Sequence, residues 1–366
     1  MVKTKRFVVL SAVLLLSVFV SCKGTVTPGS NAGNGETGGG SSGGGAGGNG
    51  GSVAAYKAGD TALTNIIING KTYDNTAEVY VTGPNGATVT GKTNADNYDG
   101  VFIQGGTVTL SPFIMGKYEV TQELYKAVMT GNSNNVNPEP FYCTADSNDY
   151  KELLQGEEQK YRAAEGMTWY DAVYFCNALS EKTGLTKAYT ISIVAETLDG
   201  NIISATVELV ANANGYRLPT EAEWEFAARG GSPNKPEWDY LFSGAPKANG
   251  SNYSDSKNSG LDSVGWYWYN TTNGTTGSET PKNGYPGNGT HQVGKKLANI
   301  LGIFDMSGNV LEWCYDLYNS TLSSNRVLRG GSWNGYADSC SVCSRGSIHP
   351  GTMTGIMGFR VVRSAQ

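Results

Sequence analysis

Charge is scarce in this chain. Of its 366 residues only 16% are charged, the net balance is −5 and the isoelectric point is near 5.2. No basic face exists to track a phosphate backbone, so nucleic acid is not an expected partner. Histidine is scarcer still, with only His291 and His349 present. Neither lies near a nucleophile-elbow motif or an obvious orienting carboxylate, which excludes a Ser-His-Asp triad. Six cysteines are too few for a disulfide-dense scaffold, and Cys176 and Cys314 read as small buried hydrophobes. Gly330-Gly331 is not followed by Lys-Ser/Thr leading into a helix, so no phosphate loop is present. No organic cofactor is expected.

Glycine is abundant, at 50 residues, and aromatics make up 10%. That combination points to a loop-rich, aromatic-packed body rather than a helical bundle. The N-terminus stands apart. Lys3, Lys5 and Arg6 precede an apolar run from Phe7 to Val20 and then Ser21-Cys22. The run is short for a bilayer span and has the layout of an export signal. It resembles a bacterial lipoprotein signal, with Phe19 in place of the usual Leu, and Cys22 would carry the lipid. Residues 23–52 are nearly all Gly, Ser, Asn and Ala. Such a stretch cannot offset its ordering entropy, and as a coil of about thirty residues it spans ~30 Å. Export by a lipoprotein signal peptide at residues 1–22, a tether at 23–52 and lipid-anchored display at the bacterial cell surface, on the outer membrane, are the expectation.

Residues 53–100 contain short β-like runs, Ile66-Ile-Ile68, Glu78-Val-Tyr-Val81 and Thr88-Val-Thr90, with an Asn69-Gly70 hairpin signal. They read as a small β extension. The main domain is placed at 101–366. Thr121 is positioned to cap a helix carrying Leu124, Tyr125 and Val128 on one face. Thr168-Trp-Tyr-Asp171 opens a second helix, and Asp199-Gly200-Asn201 centres a hairpin. Thr220 and Glu223 form a capping box after Pro219, with Gly230 ending that helix. The local signals give a mixed α+β fold with high coil content.

The last forty residues organise the remainder. Two strand-like segments, 326–333 and 358–363, bracket residues 334–357, which contain no Lys, Glu, Gln, Leu, Phe or Trp. Pinned at both ends and without Leu, Phe or Trp, this segment reads as a displayed loop. Its Tyr, Ser, Asn and Gly content suits a binding surface. The candidate ligand-binding residues are Asn334, Gly335, Tyr336, Asp338, Ser339, Ser344, Ser347 and His349. Arg329, Arg345 and Arg360 are assigned to holding the loop, and Trp333 to the core. The aromatic run Trp266-Tyr-Trp-Tyr269 reads as packing.

The segments Gly215–Gly230, Gly302–Trp313 and the terminal Arg-Gly-Gly-Ser-Trp…Gly-Phe-Arg pair resemble the formylglycine-generating-enzyme (sulfatase-modifying factor) family from about Val101 to Val362. The resemblance implies the formylglycine-generating subtype of the C-type lectin fold. The family's oxidases use two cysteines that bind copper. Here the second falls on Cys340 but the first falls on Gly335, with Cys343 an extra thiol, so the pair is not intact. Iron held by three histidines is excluded by the histidine count. The resemblance also implies a calcium site from the side chains of Asp305 and Glu312 and the carbonyls of Gly308 and Val310. Finally, non-catalytic proteins of this fold diversified by retroelements place variable residues in the last loop. Adenine-directed mutagenesis there cannot yield Lys, Glu or Gln, the residues missing from 334–357; Met353 and Met357 do not come from such codons.

The expectation is a lipid-anchored, monomeric surface protein that binds an unknown protein or glycan through residues 334–357, without catalysis. The alternatives are a copper-dependent oxidase acting on cysteine and a structural envelope lipoprotein.

Overall fold

The computed structural model describes residues 65–83, 88–90, 100–102, 107–147, 153–246, 258–271, 289–319 and 324–365. Cys22 and the 23–52 stretch lie outside them. Short elements dominate. β1 (Ile67–Ile68) and β2 (Lys71–Thr72) form the hairpin expected at Asn69-Gly70. β3 (Glu78–Val81) follows, then β4 (Thr88–Thr90), which pairs with β5 (Thr107–Thr109). β6 (Phe113–Gly116) lies between β3 and the C-terminal strand β13 (Val362–Ser364), antiparallel to both.

That sheet corrects the boundary at residue 100. Residues 65–83 are not an appendage. Val79 and Val81 enter one core with Trp224, and Ile66, Ile68 and Tyr73 enter the other, with Tyr125. Glu78 also pairs with Arg363 at 2.9 Å.

Three of the helices form where their caps dictate. Thr121 caps α1 (Gln122–Met129), its hydroxyl accepting from Leu124 N. Thr168 and Asp171 make a reciprocal capping box on α2 (Trp169–Lys182), and Thr220 and Glu223 do so on α3 (Glu221–Ala228). Each box satisfies orphan N–H groups of the first turn. The apolar face of α1 meets α2 through Tyr125, which stacks on Phe175 at 5.2 Å; Phe359 closes edge-on at 5.2 Å from Phe175. Fully buried aromatics are worth about 1.5–3 kcal/mol each relative to exposure, so this trio fastens the helix pair to the C-terminal segment. The hairpin at Asp199-Gly200-Asn201 joins β7 (Tyr189–Glu196) to β8 (Ile202–Leu209). Two short helices, α4 (Ser259–Val264) and α5 (Trp268–Thr271), follow.

A four-stranded sheet carries the C-terminal region, in the order β11 (Arg345–Ile348), β10 (Arg326–Arg329), β9 (Leu311–Leu317), β12 (Met357–Gly358). β11 runs antiparallel to β10 and β12 parallel to β9. The 334–357 segment is therefore not a free loop. It contains a 3₁₀ turn at Ala337–Cys340, the strand β11, and the buried residues Ala337, Cys340, Val342 and Cys343. The α+β class with high coil content is as expected; the bare-loop reading is corrected.

Candidate functional site

Two arginines, one fully buried and one partly exposed, build the ground under the segment. Arg329, fully buried on β10, donates to the carbonyls of Val342 and Cys343 at 3.0 Å each, to the carbonyl of Ser344, and to Glu225 Oε2 at 2.5 Å. Glu225 is also held by Arg229 at 2.8 Å, and the two guanidiniums keep its carboxyl below the usual range despite full burial. Arg345 pairs with Glu221 at 2.5 and 2.7 Å. Both hold the segment, as assigned. Arg360 does something else: it grips Glu312 in a two-point contact, 2.7 Å to each oxygen, and donates to the carbonyl of Phe304.

The Arg360–Glu312 pair bears on the calcium expectation. Asp305, Gly308, Val310 and Glu312 do share one turn, with Asp305 at φ 58° and Gly308 at φ 107°. Gly308 is required there, because a Cβ would sit 2.1 Å from the carbonyl oxygen of Trp266. Yet both oxygens of Glu312 are committed to Arg360, and Oε2 also accepts from Trp224 Nε1 at 2.8 Å. Asp305 Oδ2 accepts from Gly294 N at 2.7 Å, leaving only Oδ1 without a partner. Burial pushes the Asp305 carboxyl up to about 6. A hard cation needs several open oxygens. Of the two expected carboxylate ligands, this set leaves one oxygen open.

Six of the eight candidates come together: Asn334, Gly335, Tyr336, Asp338, Ser339 and Ser347 line one cleft of about 510 Å³. Its floor is Leu311, Leu328, Ile348, Ile356 and Met357. Trp333 is only 4% exposed and donates from Nε1 to the carbonyl of Gly355 at 3.0 Å, drawing the far end of the segment back to its start. Gly331, at φ 73°, lets Cys340 approach; a Cβ would lie 2.6 Å from Cys340 Sγ. Two candidates fall outside. Ser344 is 3% exposed, buried because Arg329 ties down the carbonyls on either side of its amide. His349 is exposed and off the cleft, its Nδ1 accepting from Gly351 N at 3.1 Å.

One residue of the site escaped the sequence. Trp268, at the start of α5, donates its backbone N–H to the carbonyl of Gly335 at 2.9 Å, and its ring centre lies 5.6 Å from that of Tyr336. Its neighbours Trp266 and Tyr267 are buried, as the packing reading requires. The half-exposed second Trp of an aromatic run was the available signal.

The arrangement offers an apolar floor, a polar rim and little reactive chemistry. Cys340 is fully buried and its thiol is pushed up to about 12 by desolvation, which keeps it protonated at neutral pH. Cys143, Cys176 and Cys314 are likewise free and buried.

Known proteins with this construction exist. A family profile described as the sulfatase-modifying factor enzyme 1-like domain matches residues 68–365. A protein named chaperone protein LppX, from Paenibacillus barcinonensis, is 35% identical over 313 residues, covering 78% of this chain and 95% of that protein. The solved structure of Treponema denticola variable protein 1 is 33% identical, covers 81% of this chain and 99% of its own, and superposes with a TM-score of 0.58. The inactive C-alpha-formylglycine-generating enzyme 2 of Mus musculus is 32% identical over 161 residues, which is 41% of this chain and 44% of that protein. The fold is the α+β, C-type lectin-like fold of these relatives. From residue 68 to its end, this chain belongs to the sulfatase-modifying factor enzyme 1-like family, and within it the chain resembles a variable protein.

Proposed function

We propose that this is a non-catalytic, lipid-anchored receptor that binds a ligand in the cleft formed by residues 334–357. One observation carries the reading: six residues picked for their display chemistry line a single cleft, while the residues beneath them are locked into sheet and core. A binding surface needs that division, with replaceable side chains on a backbone that does not depend on them.

The likeness to a protein titled a variable protein supports a loop that changes between copies. Export with a lipid at Cys22 rests on the basic residues Lys3, Lys5 and Arg6, the apolar run to Val20 and Ser21-Cys22. The inactive relative, together with Gly335 where the oxidases carry a cysteine and a Cys340 thiol kept protonated by burial, supports the absence of catalysis.

Sequencing this coding region across many isolates tests the receptor reading. Substitutions should concentrate in the codons of Asn334, Gly335, Tyr336, Asp338, Ser339 and Ser347, and spare Leu311, Leu328 and Met357. Variation spread evenly over the domain, or none at all, would refute it. The anchor has its own check: Cys22→Ala should move the protein from the detergent to the aqueous phase.

A further inference from the structure

The cleft is built in two unequal parts. Four of its five floor residues come one from each strand of the four-stranded sheet: Ile348 from β11, Leu328 from β10, Leu311 from β9 and Met357 from β12. Leu328, Leu311 and Met357 are 5% exposed or less. Their backbones are fixed by the ladders, with Met357 opposite Leu311 and Leu328 opposite Gly346 and Trp313. None of these side chains can donate or accept a conventional hydrogen bond. The rim is the reverse: Asn334, Asp338, Ser339 and Ser347 bring hydrogen-bonding groups on the replaceable segment. One side of the mouth is aromatic, where Tyr336, 48% exposed, leans on Trp268.

We propose that the floor is an anchor pocket for one large apolar side chain, aromatic in character, of a protein ligand, and that the rim residues select what surrounds that side chain. This rests on the receptor reading above and adds what it lacks, the class of ligand. The volume of about 510 Å³ lies in the range of pockets that enclose a compact organic group. A sugar buried there would face five apolar side chains, with Thr354 Oγ1 the one unpartnered buried oxygen among the described lining residues, and would leave most of its inward hydroxyls unpaired, at the usual cost of a desolvated polar group. An indole or phenyl ring has no such groups, and aromatic side chains seated in pockets carry much of the affinity at protein interfaces. Because Leu311 and Leu328 lie outside the segment, and Ile348 and Met357 are set in the ladders, this part of the floor stays constant when the rim changes. Trp268, lying outside the segment, is a constant backing for Tyr336.

The test is saturation-transfer NMR on the full chain with three probes: N-acetyl-tryptophanamide, N-acetyl-asparaginamide and methyl α-mannoside. The tryptophan amide should bind saturably with a millimolar Kd, while the other two give no saturable signal. Ser347→Phe, which fills the cleft from its rim without removing a floor contact, should weaken that binding at least tenfold. Its melting temperature should stay at the wild-type value; if it does not fold, Asn334→Trp is the second plug. The inference is overturned if the tryptophan amide does not bind, or binds equally to the plugged variant. It is also overturned if the mannoside binds and is lost on plugging, which would make the cleft a glycan site. Failure of the probe while variation is confined to the rim codons removes the anchor pocket and leaves the receptor. Absence of rim variation removes the receptor whatever the probe does.

Discussion

Replacing Trp333 by Ala tests the division between a rigid base and a replaceable rim. The indole is almost wholly buried, its Nε1–H satisfies the carbonyl of Gly355, its backbone N–H reaches Asn309 and its carbonyl accepts from Thr271. Truncation removes the ring and leaves a cavity, for which about 3–5 kcal/mol is usual. The lost hydrogen bond to Gly355 adds about 1 kcal/mol. A domain this long shifts by roughly 2 °C per kcal/mol, so Tm should fall by about 8–12 °C. Trp333→Phe keeps most of the burial and should fall by only about a third as much. Against these stands the rim variant Asn334→Ala, Tyr336→Ser, Ser347→Ala, whose side chains are half or fully exposed. Each such change is worth less than about 0.5 kcal/mol, so together they should shift Tm by no more than ~3 °C. Thermal melts followed by circular dichroism read all three. If Trp333→Ala melts within ~3 °C of wild type, or the rim variant falls alongside it, base and rim are not separate and the reasoning fails.

Arg329→Met strands Glu225 against Arg229 alone and frees three carbonyls, and should cost about 3–5 kcal/mol in urea denaturation; a cost under 1 kcal/mol would show that the segment holds itself. Glu165, fully buried beneath Tyr142 and Cys143, has its carboxyl raised to about 7 by desolvation, above its unfolded value. The native state therefore holds a proton that the unfolded state has released between about pH 4.5 and 7, so this group makes stability fall as pH rises through that window. Glu165→Gln should flatten that part of a stability-versus-pH curve, and an unchanged slope would assign it to other groups. Because Arg360 and Trp224 occupy Glu312, adding calcium to chelator-treated protein should leave Tm where it was; a rise of several degrees would mean that the turn rearranges around the ion.

The sequence disclosed whatever was local. The helix start at Thr168-Trp-Tyr-Asp171, the capping box at Thr220/Glu223, the hairpin at Asp199-Gly200-Asn201 and the burial of Trp333 all rest on residues within a few positions of one another, or on one large apolar side chain. What it concealed was set by distant partners. Glu312 looked like an open ligand because Arg360, 48 residues on, is invisible from the turn. Ser344 looked like surface because nothing nearby announces that Arg329 buries its neighbours' carbonyls. Arg345-Gly-Ser-Ile348 shows no alternation and little apolar content, so β11 had no signature; its place comes from the exposed edge of β10. Glu78-Val-Tyr-Val81 was legible as a strand, but its partner β6 lies more than thirty residues away, and so it passed for an extension.

The sheet that joins β3, β6 and β13 has a bearing on when this chain can fold. β6 waits for β13, Glu78 waits for Arg363, and the carbonyl of Gly116 and the carboxylate of Glu312 wait for Arg360. A nascent chain that stops short of Met357 thus lacks an edge of one sheet, the parallel strand of the other and the cation that neutralises a buried acid. Contacts of such long sequence separation form late and slowly. Until residues 357–364 have been made, neither sheet can close and the chain before them stays unlocked.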